Sequence, residues 1–418
     1  MSNLILTKTA APSTPSSTKS VLFIDTNDQR PKVLDNFGVT HVLDDNAAQS
    51  GRNHIVNGNF AISQRLGLPY ALANVAGAST TVRVYTVADR WGHTVGNATT
   101  PQSAIIDTAG AAVTGLSTRF YLQLKQLTNA AKMCLSQPIE SVLGGATLRG
   151  KTVSFQAKLW LSGAFTPVVR LGLLSFTGTT DADTRTAFIS AFNGAGVDPT
   201  FGTNLALITP VAAQVKSAAG VISAGVIAGN AVSCTITANV QTFSAVFNIP
   251  TGANNVIPVL YTDNTMAVGD ILCVSEVGLY VTQNILDWVD PDPAAEVAKC
   301  QRYYVKTFKL ATAPAQNATI NSGELKFPAQ QAAATVSGLL WQFPVEMKAA
   351  PTVTFYNPAA ANAQVRDEVA AGDCSSTGLP TNVTTDVHSC AFKTTGNAST
   401  AIGNTLGVHI ATTTDAEF

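Results

Sequence analysis

The sequence carries little charge. Of its 418 residues, 25 are lysine or arginine and 26 are aspartate or glutamate, so charged residues make up 12%, about half of the roughly 25% that is usual in soluble proteins. The formal net charge of −1 leaves no basic surplus for phosphate groups, so we expect no nucleic-acid partner. The apolar fraction is ordinary at 46%, and such a chain is expected to fold rather than stay disordered.

Long apolar runs and paired cysteine motifs are also missing. The most apolar window, residues 215–234, is interrupted by Lys216 and several polar residues, so we expect no membrane insertion. The first residues contain an apolar run too short for a secretory signal. The six cysteines show no CxxC spacing, which argues against a zinc cluster or a disulfide framework. A disulfide between Cys374 and Cys390 and a pair of free thiols both remain open.

Recognisable catalytic motifs are absent as well. There is no Walker loop, no GxGxxG after a strand, no HExxH and no GxSxG. No histidine lies at metal-ligand spacing from another, and we interpret His388 and Cys390 as a structural pair. Glycan hydrolysis needs two carboxylates about 5–10 Å apart, but the most suggestive ones, Asp181 and Asp183, lie in a turn-like context. We therefore expect no enzyme, no cofactor and no metal site.

The sequence is rich in the two-residue alternation of β-strands. In residues 151–161 the apolar side chains face one way, whereas Lys158 and Trp160 face the other. Residues 81–87 alternate too, with Arg83 and Tyr85 on the solvent side. Further strand-like runs are separated by Gly, Asn and Pro turns. This pattern predicts an all-β fold built on an antiparallel sandwich.

One short helix interrupts the strands and suggests how the chain is organised. The segment DPDP at 290–293 supplies a capping acid and a first-turn proline, and Val297, Cys300 and Tyr304 would form the apolar face. We predict a small β-hairpin module at 1–50 and a large β-sandwich at 51–286. The connecting helix follows at 287–305, and a second small β-sandwich occupies 306–418.

Several segments together resemble bacteriophage tail-fibre proteins. The segments NHIVNGNF (53–60), ADRW (88–91), LSQPIESVLGGATLRGKTVSFQAKLWLSG (135–163), TFSAVFNIP (242–250) and GDILCVSEVGLYV (269–281) resemble a jelly-roll module that is similar to carbohydrate-binding modules. The segments CQRYY (300–304) and FPVEMKAAPTV (343–353) resemble parts that follow this module, and residues 11–38 resemble the opening of such fibres. Residues 177–230 match nothing and are interpreted as an insertion.

The resemblance implies an antiparallel jelly-roll and a structural role in the virion. It implies a homotrimer, made in the host cytoplasm, that attaches to tail or baseplate proteins by its N-terminal segment and contacts host-surface glycans. A fibre or decoration of the head or neck is the alternative, and a glycan depolymerase is a third hypothesis. The scarcity of charge would then reflect intersubunit surfaces, because obligate interfaces are poor in charged residues.

Two sets of residues could contact a receptor, and we predict this role for the first set only. The irregular segment 357–389 is rich in Asn, Asp, Gly, Ser and Thr, as binding loops often are. We predict that Arg366, Asp367 and Asp373 contact the receptor, the alternative being solvated loop residues. The second set comprises aromatic residues on or beside predicted strands, which we interpret as core: Tyr85, Trp91, Trp160 and Trp341.

Overall fold

The structure is a computed structural model. It describes residues 8–9, 13, 21–25, 31–34, 40–42, 52–66, 70–74, 83–96, 101–109, 112–162, 168–182, 186–319, 322–332, 336–374 and 381–414. The chain divides into two compact units, Met1–Arg52 and Asn53–Phe418. The predicted domain boundaries at 50, 286 and 305 stay predictions.

The first unit is a small four-stranded sheet. Its strands are β1 (Lys8–Thr9), β2 (Val21–Asp25), β3 (Pro31–Leu34) and β4 (Thr40–Val42). Strands β2 and β3 pair antiparallel, as the predicted hairpin requires, and β1 lies parallel to β2. Phe23 and Leu34 are its buried apolar side chains among the described residues.

The second unit begins with eighteen strands. They are β5 (Tyr70–Asn74), β6 (Val84–Tyr85), β7 (Gly92–Val95), β8 (Pro101–Asp107), β9 (Phe120–Gln126), β10 (Met133–Ser136), β11 (Thr152–Ser162), β12 (Val168–Phe176), β13 (Ile189–Ala191), β14 (Thr200–Phe201), β15 (Leu205–Leu207), β16 (Pro210–Lys216), β17 (Ile222–Ala224), β18 (Val226–Ala228), β19 (Ala231–Thr235), β20 (Gln241–Asn248), β21 (Asn255–Thr262) and β22 (Ile271–Tyr280). Two single 3₁₀ turns, Ser141–Leu143 and Ala146–Leu148, lie between β10 and β11.

Sixteen of these strands form two eight-stranded antiparallel sheets. Sheet I has the order β18-β19-β12-β21-β10-β7-β6, with β15 paired to β12, and sheet II has the order β17-β16-β20-β11-β22-β9-β8-β5. The inward side chains of both sheets form one apolar core. This arrangement confirms the predicted antiparallel jelly-roll sandwich.

Strand β11 shows why the sequence folds this way. Its alternate residues Val153, Phe155, Ala157, Leu159 and Leu161 all lie in the core between the sheets, so the predicted alternation is confirmed. Burying apolar surface contributes about 25 cal/mol per Å², and only one of the two registers of the strand places these five side chains inside.

The strand predicted at 81–87 is wrong in part. The structure has only Val84–Tyr85 as strand β6, and residues 81 and 82 lie outside the described residues. Arg83 is buried rather than solvated, because its guanidinium donates to Ser136 Oγ at 2.8 Å and lies against Gly92. Gly92, which has no side chain, leaves the space that the guanidinium fills.

Residues 177–230, the segment interpreted as an insertion, have two roles in the sandwich. Their hairpin β13–β14 covers the outer face of sheet I, where Phe188 and Phe201 pack near Tyr261. Strands β15 to β18 extend both sheets. Residues 215–234 thus form strands, and in the described part of the chain no helix is long and apolar enough to cross a membrane.

The connecting helix α1 spans Pro293–Gln301. Asp292 caps it by accepting a hydrogen bond from Ala294 N, and Pro293 occupies the first turn, as the DPDP segment predicts. Cys300 packs with Val56 and Ile62, and Val297 lies beside them. Tyr304 begins the next strand instead of extending the helical face.

The remaining strands form the second small sandwich. They are β23 (Tyr304–Lys306), β24 (Leu325–Pro328), β25 (Val336–Gln342), β26 (Thr352–Tyr356), β27 (Arg366–Asp367), β28 (Gly372–Asp373), β29 (Thr381–Thr385), β30 (Ser389–Thr395) and β31 (Thr405–Thr413). Six of them form a sheet centred on β31, and β25, β30 and β29 form the other sheet. Cys374 and Cys390 lie in the core between these sheets as free thiols.

Candidate functional site

The candidate site lies on the outer face of sheet II. Lys158 alternates with the core residues of β11 and therefore points away from the core, as does Gln156. Thr242 of β20 and Glu276 of β22 line the same cavity. Three adjacent strands thus place polar side chains together on the outer face of the sheet, the face on which the alternation of β11 predicts Lys158.

A β-bulge in β22 brings Glu276 into this site. The pairing register between β11 and β22 shifts between Gln156 and Lys158, and Glu276 adopts a positive φ of 47°. A non-glycine residue in this left-handed region stores strain, and such strain clusters at functional sites. The bulge turns the carboxylate toward Lys158.

Glu276 and Lys158 form a buried ion pair. Their Oε2 and Nζ atoms are 2.6 Å apart, and the Glu276 side chain is 1% exposed. The other carboxylate oxygen accepts hydrogen bonds from Ser117 N at 2.5 Å and Thr118 N at 3.3 Å. Lys158 Nζ also donates to Gly115 O at 2.5 Å. The pair therefore fixes the 115–118 loop as one wall of the site.

A second wall comes from the segment that follows β22. The Gln156 side chain donates to Leu286 O at 2.8 Å and accepts from Leu286 N at 3.0 Å. This pair of bonds holds Leu286 across the outer face of the sheet. Trp288 lies beside it, half-buried, with Nε1 donating to Asp290 Oδ1 at 2.9 Å.

Between these walls lies a cavity of about 180 Å³, which we call the sheet II pocket. Lys216 at the end of β16 closes its third side, together with Ser217 and Ala218 of the turn between β16 and β17. Lys216 forms an ion pair across the opening with Asp287, and this hydrogen bond lowers the pKa of Asp287 below its usual range. The pocket thus combines an apolar wall, two cations and two carboxylates.

The residues predicted from segment 357–389 lie elsewhere, on the β27–β28 hairpin of the second sandwich. Arg366 Nη1 is 2.9 Å from Asp373 Oδ1, and Asp373 also accepts from Asn357 at 2.9 Å and from Asn362 at 2.6 Å. Although partial burial raises the pKa of Asp373, these three hydrogen bonds lower it below its usual range overall. Arg366 and Asp373 are partly exposed and lie together.

Asp367 is less exposed than the other two predicted residues, Arg366 and Asp373. It is fully buried, and its carboxylate accepts from Val369 N at 3.0 Å, from Ala370 N at 2.8 Å and from Asn404 at 2.9 Å. These bonds hold the turn that follows β27. Residues 375–380 of the segment lie outside the described residues, and the receptor role of Arg366, Asp367 and Asp373 stays a prediction.

The other candidates from the sequence have structural contacts. Trp91 and Trp160 are buried, as the core interpretation predicts, whereas Tyr85 and Trp341 are half-buried. Asp181 accepts hydrogen bonds from Ser141 N and Asn255, and Asp183 lies outside the described residues. Where the structure describes the chain, no group of three or more His, Cys, Asp or Glu side chains is placed to hold a metal ion.

Several of the segments that carry the resemblance meet in one polar cluster, which we call the intersandwich junction. Asn57 donates to Ile62 O at 2.9 Å and to Asp89 O at 3.0 Å, and Trp91 Nε1 donates to Asn57 O at 3.0 Å. The helix joins this cluster, because Glu296 accepts a hydrogen bond from Asn57 N at 2.6 Å.

The other half of the junction joins the two sandwiches. Arg302 makes two hydrogen bonds of 2.9 Å to the Glu140 carboxylate, which also accepts from the Tyr303 hydroxyl at 2.5 Å. The Arg90 guanidinium lies 3.5 Å from the centroid of the Tyr303 ring, a favourable cation–π contact. These contacts connect the two sandwiches, and none of these residues lines the sheet II pocket.

Comparisons with known proteins give structural neighbours only. No family model and no curated protein matches the chain. Among solved structures it is similar to TmCBM61, solved with β-1,4-galactotriose, at 10% identity and a TM-score of 0.26, covering 56% of this chain and 100% of that one. It is also similar to the CBM22-1 xylan-binding domain of Xyn10C from Paenibacillus barcinonensis, at 8% identity and a TM-score of 0.27, covering 57% and 100%.

A third neighbour comes from a virus. It is the enzymatically active domain of tailspike protein 4 from bacteriophage CBA120, at 12% identity and a TM-score of 0.25. The match covers 55% of this chain and 21% of the tailspike chain.

Proposed function

We propose that this chain is a glycan-binding structural protein of a phage tail fibre, and that the sheet II pocket holds the sugar. The observation that carries the proposal is the pocket itself. Its ion pair Lys158–Glu276 and the Leu286–Trp288 wall surround a cavity suited to one sugar ring. A few fixed polar groups beside an apolar surface are what a small-molecule site needs.

The tail-fibre part of the proposal rests on the segments that resemble such fibres. The intersandwich junction supports it, because residues from four of those segments, 53–60, 88–91, 135–163 and 300–304, connect the two sandwiches through hydrogen bonds and a cation–π contact. A fibre that transmits adhesion needs such a connection. We propose that the N-terminal segment docks to tail or baseplate proteins in the virion.

We propose further that the protein binds glycans without cleaving them. In the sheet II pocket the Glu276 carboxylate is engaged by Lys158 and by the amides of Ser117 and Thr118. A carboxylate held in this way is poorly suited to proton transfer. Incubation with bacterial surface polysaccharide should release no new reducing ends; any turnover would establish a depolymerase instead.

Replacement of Ala218 tests the pocket. Ala218 is exposed and lines the sheet II pocket, so Ala218→Trp should fill the cavity and reduce binding on an array of bacterial surface glycans at least tenfold. Ala219, the next residue, is also exposed but does not line the pocket. Ala219→Trp is therefore the matched control and should bind like the wild type. Equal binding by all three proteins would place the sugar elsewhere.

The proposed homotrimer has a candidate surface on the same sandwich. Strand β17 is an edge strand of sheet II, and β18 is an edge strand of sheet I. The exposed apolar residues in or next to these strands are Val221, Ile222, Val226 and Ile227. The sequence has no charged residue from Ser217 to Thr262. Exposed strand edges in soluble proteins are usually protected by charge, so we propose that neighbouring copies of this chain cover these edges.

Charge introduced at these edges should separate the subunits. We expect a trimer for the full chain by mass measurement in solution, and a folded monomer for the double variant Ile222→Asp, Val226→Asp, because carboxylates would be buried at the interface. Val142 is an exposed valine of similar accessibility, and Val142→Asp should remain trimeric. A folded wild-type monomer would contradict the trimer, and a trimeric double variant would place its interface elsewhere.

A further inference from the structure

We propose that the sheet II pocket selects a sugar that carries a carboxylate, and that Lys216 binds this carboxylate. The inference rests on the proposed function, because it names the class of glycan that the same pocket takes. It starts from the four charged side chains that line the cavity, which form two ion pairs of very different character: Lys158–Glu276 and Lys216–Asp287.

The inner pair is not available to a ligand. Glu276 is 1% exposed and Lys158 is 15% exposed, and both groups have further partners. Glu276 accepts from two backbone amides, whereas Lys158 donates to Gly115 O. Opening this pair would leave a buried charge without its counterpart, which is strongly unfavourable. The inner pair therefore shapes the pocket and adds no net charge to it.

The outer pair is open to exchange. Asp287 is 87% exposed, whereas Lys216 is 28% exposed and belongs to strand β16. An ion pair whose carboxylate is this exposed contributes little to stability, because water solvates the carboxylate nearly as well. A ligand can therefore displace Asp287 at small cost and gain the ammonium group of Lys216 as a partner.

The group that Lys216 binds in this structure, the Asp287 carboxylate, indicates which ligand group would replace it. Lys216 is paired in this structure with a carboxylate, so the carboxylate of an acidic sugar can accept the same hydrogen bond, while the exposed Asp287 carboxylate is left to water. The ring of such a sugar would then lie in the cavity against Ile285, Leu286 and Trp288. A neutral sugar would fill the same space but would leave the Lys216–Asp287 pair closed over the opening.

Two monosaccharides that differ at one carbon test this inference. We expect isothermal titration of the full chain to give at least tenfold tighter binding of glucuronate than of glucose. Lys216→Met should remove the difference, and Lys216→Arg should retain most of it. Asp287→Asn should tighten glucuronate binding several-fold, because it removes the internal competitor and leaves Lys216 in place. Titration with glucose 6-phosphate distinguishes a carboxylate site, which should prefer glucuronate, from a site that binds any anion.

The outcomes distinguish the two proposals. Equal binding of glucuronate and glucose, both lost in Ala218→Trp, would overturn the acidic-sugar inference and leave the glycan pocket in place. Preference for glucose 6-phosphate over glucuronate, or an unchanged preference in Lys216→Met, would also overturn it. If neither these monosaccharides nor any arrayed glycan binds in a way that Ala218→Trp reduces, the proposed pocket itself is wrong.

Discussion

Replacement of Glu140 by alanine is expected to lower the free energy of unfolding of the Asn53–Phe418 unit by about 3–5 kcal/mol. The Glu140 side chain is 3% exposed and accepts three hydrogen bonds, two from Arg302 and one from Tyr303. The hydrogen bonds with Glu140 raise the pKa of Arg302 above its usual value, more than any other contact of that arginine does. Without Glu140, the guanidinium keeps its charge, and both it and the Tyr303 hydroxyl lose their principal partner.

Urea denaturation of the purified variant measures this loss. Glu346→Ala is the matched control, because Glu346 is exposed and its hydrogen bond with the same arginine is made by its backbone oxygen, which alanine keeps. Surface substitutions of this kind usually change stability by less than about 0.5 kcal/mol. A Glu140→Ala protein as stable as this control would mean that the intersandwich junction contributes little to the stability of the fold.

His93 is expected to make the protein lose stability in acid. It is fully buried on the face of β7 that also carries Val95, and neither ring nitrogen has a hydrogen-bond partner among the residues that the structure describes. Burial lowers the pKa of His93 from 6.5 to about 4. A protonated imidazole would place an unpaired charge in the core.

The sign of the effect follows from the two pKa values. Between pH 6.5 and 4 the unfolded chain binds a proton at His93 that the folded chain does not bind. The stability that depends on neutral His93 is therefore fully present above pH 6.5, and this contribution is lost as the pH falls toward 4. At about 1.4 kcal/mol per pKa unit the loss is about 3 kcal/mol.

A His93→Leu variant separates this contribution from that of the acidic residues. Leucine cannot be protonated, so its stability relative to the wild type should improve by about 3 kcal/mol between pH 7 and pH 4 in urea denaturation. Parallel pH profiles for wild type and His93→Leu would mean that His93 finds a partner when it is protonated.

Features that depend on neighbouring residues could be predicted from the sequence. The alternation in β11 determines which side chains form the core, and the DPDP segment caps helix α1 through contacts within three residues. Both outcomes follow from local geometry. The resemblance to fibre segments added the jelly-roll topology, which alternation alone cannot specify.

The sheet II pocket could not be predicted, because its parts are far apart in the chain. Gln156, Glu276 and Ser117 meet only after β11 and β22 pair and a loop folds over them. One hint was present, since Lys158 and Glu276 are each the one charged residue of their strand. Charged groups that are buried in strands need partners, and these two have opposite signs. The bulge that lets them meet has no sequence signature.

The prediction for Arg83 was wrong for a related reason. Strand alternation assigned this residue to a solvent face, but Gly92 and Ser136 provide space and acceptors for its guanidinium. Alternation specifies which side of a strand a residue occupies. It does not specify whether that side is covered, because the covering segments come from elsewhere in the chain.

Glycan binding in the sheet II pocket is best tested by a structure of the protein with its best-binding acidic glycan fragment. We expect sugar density in this pocket, with a carboxylate at Lys216 and the ring against Trp288. Sugar bound instead at Arg366 and Asp373 on the β27–β28 hairpin, with the sheet II pocket empty, would contradict it.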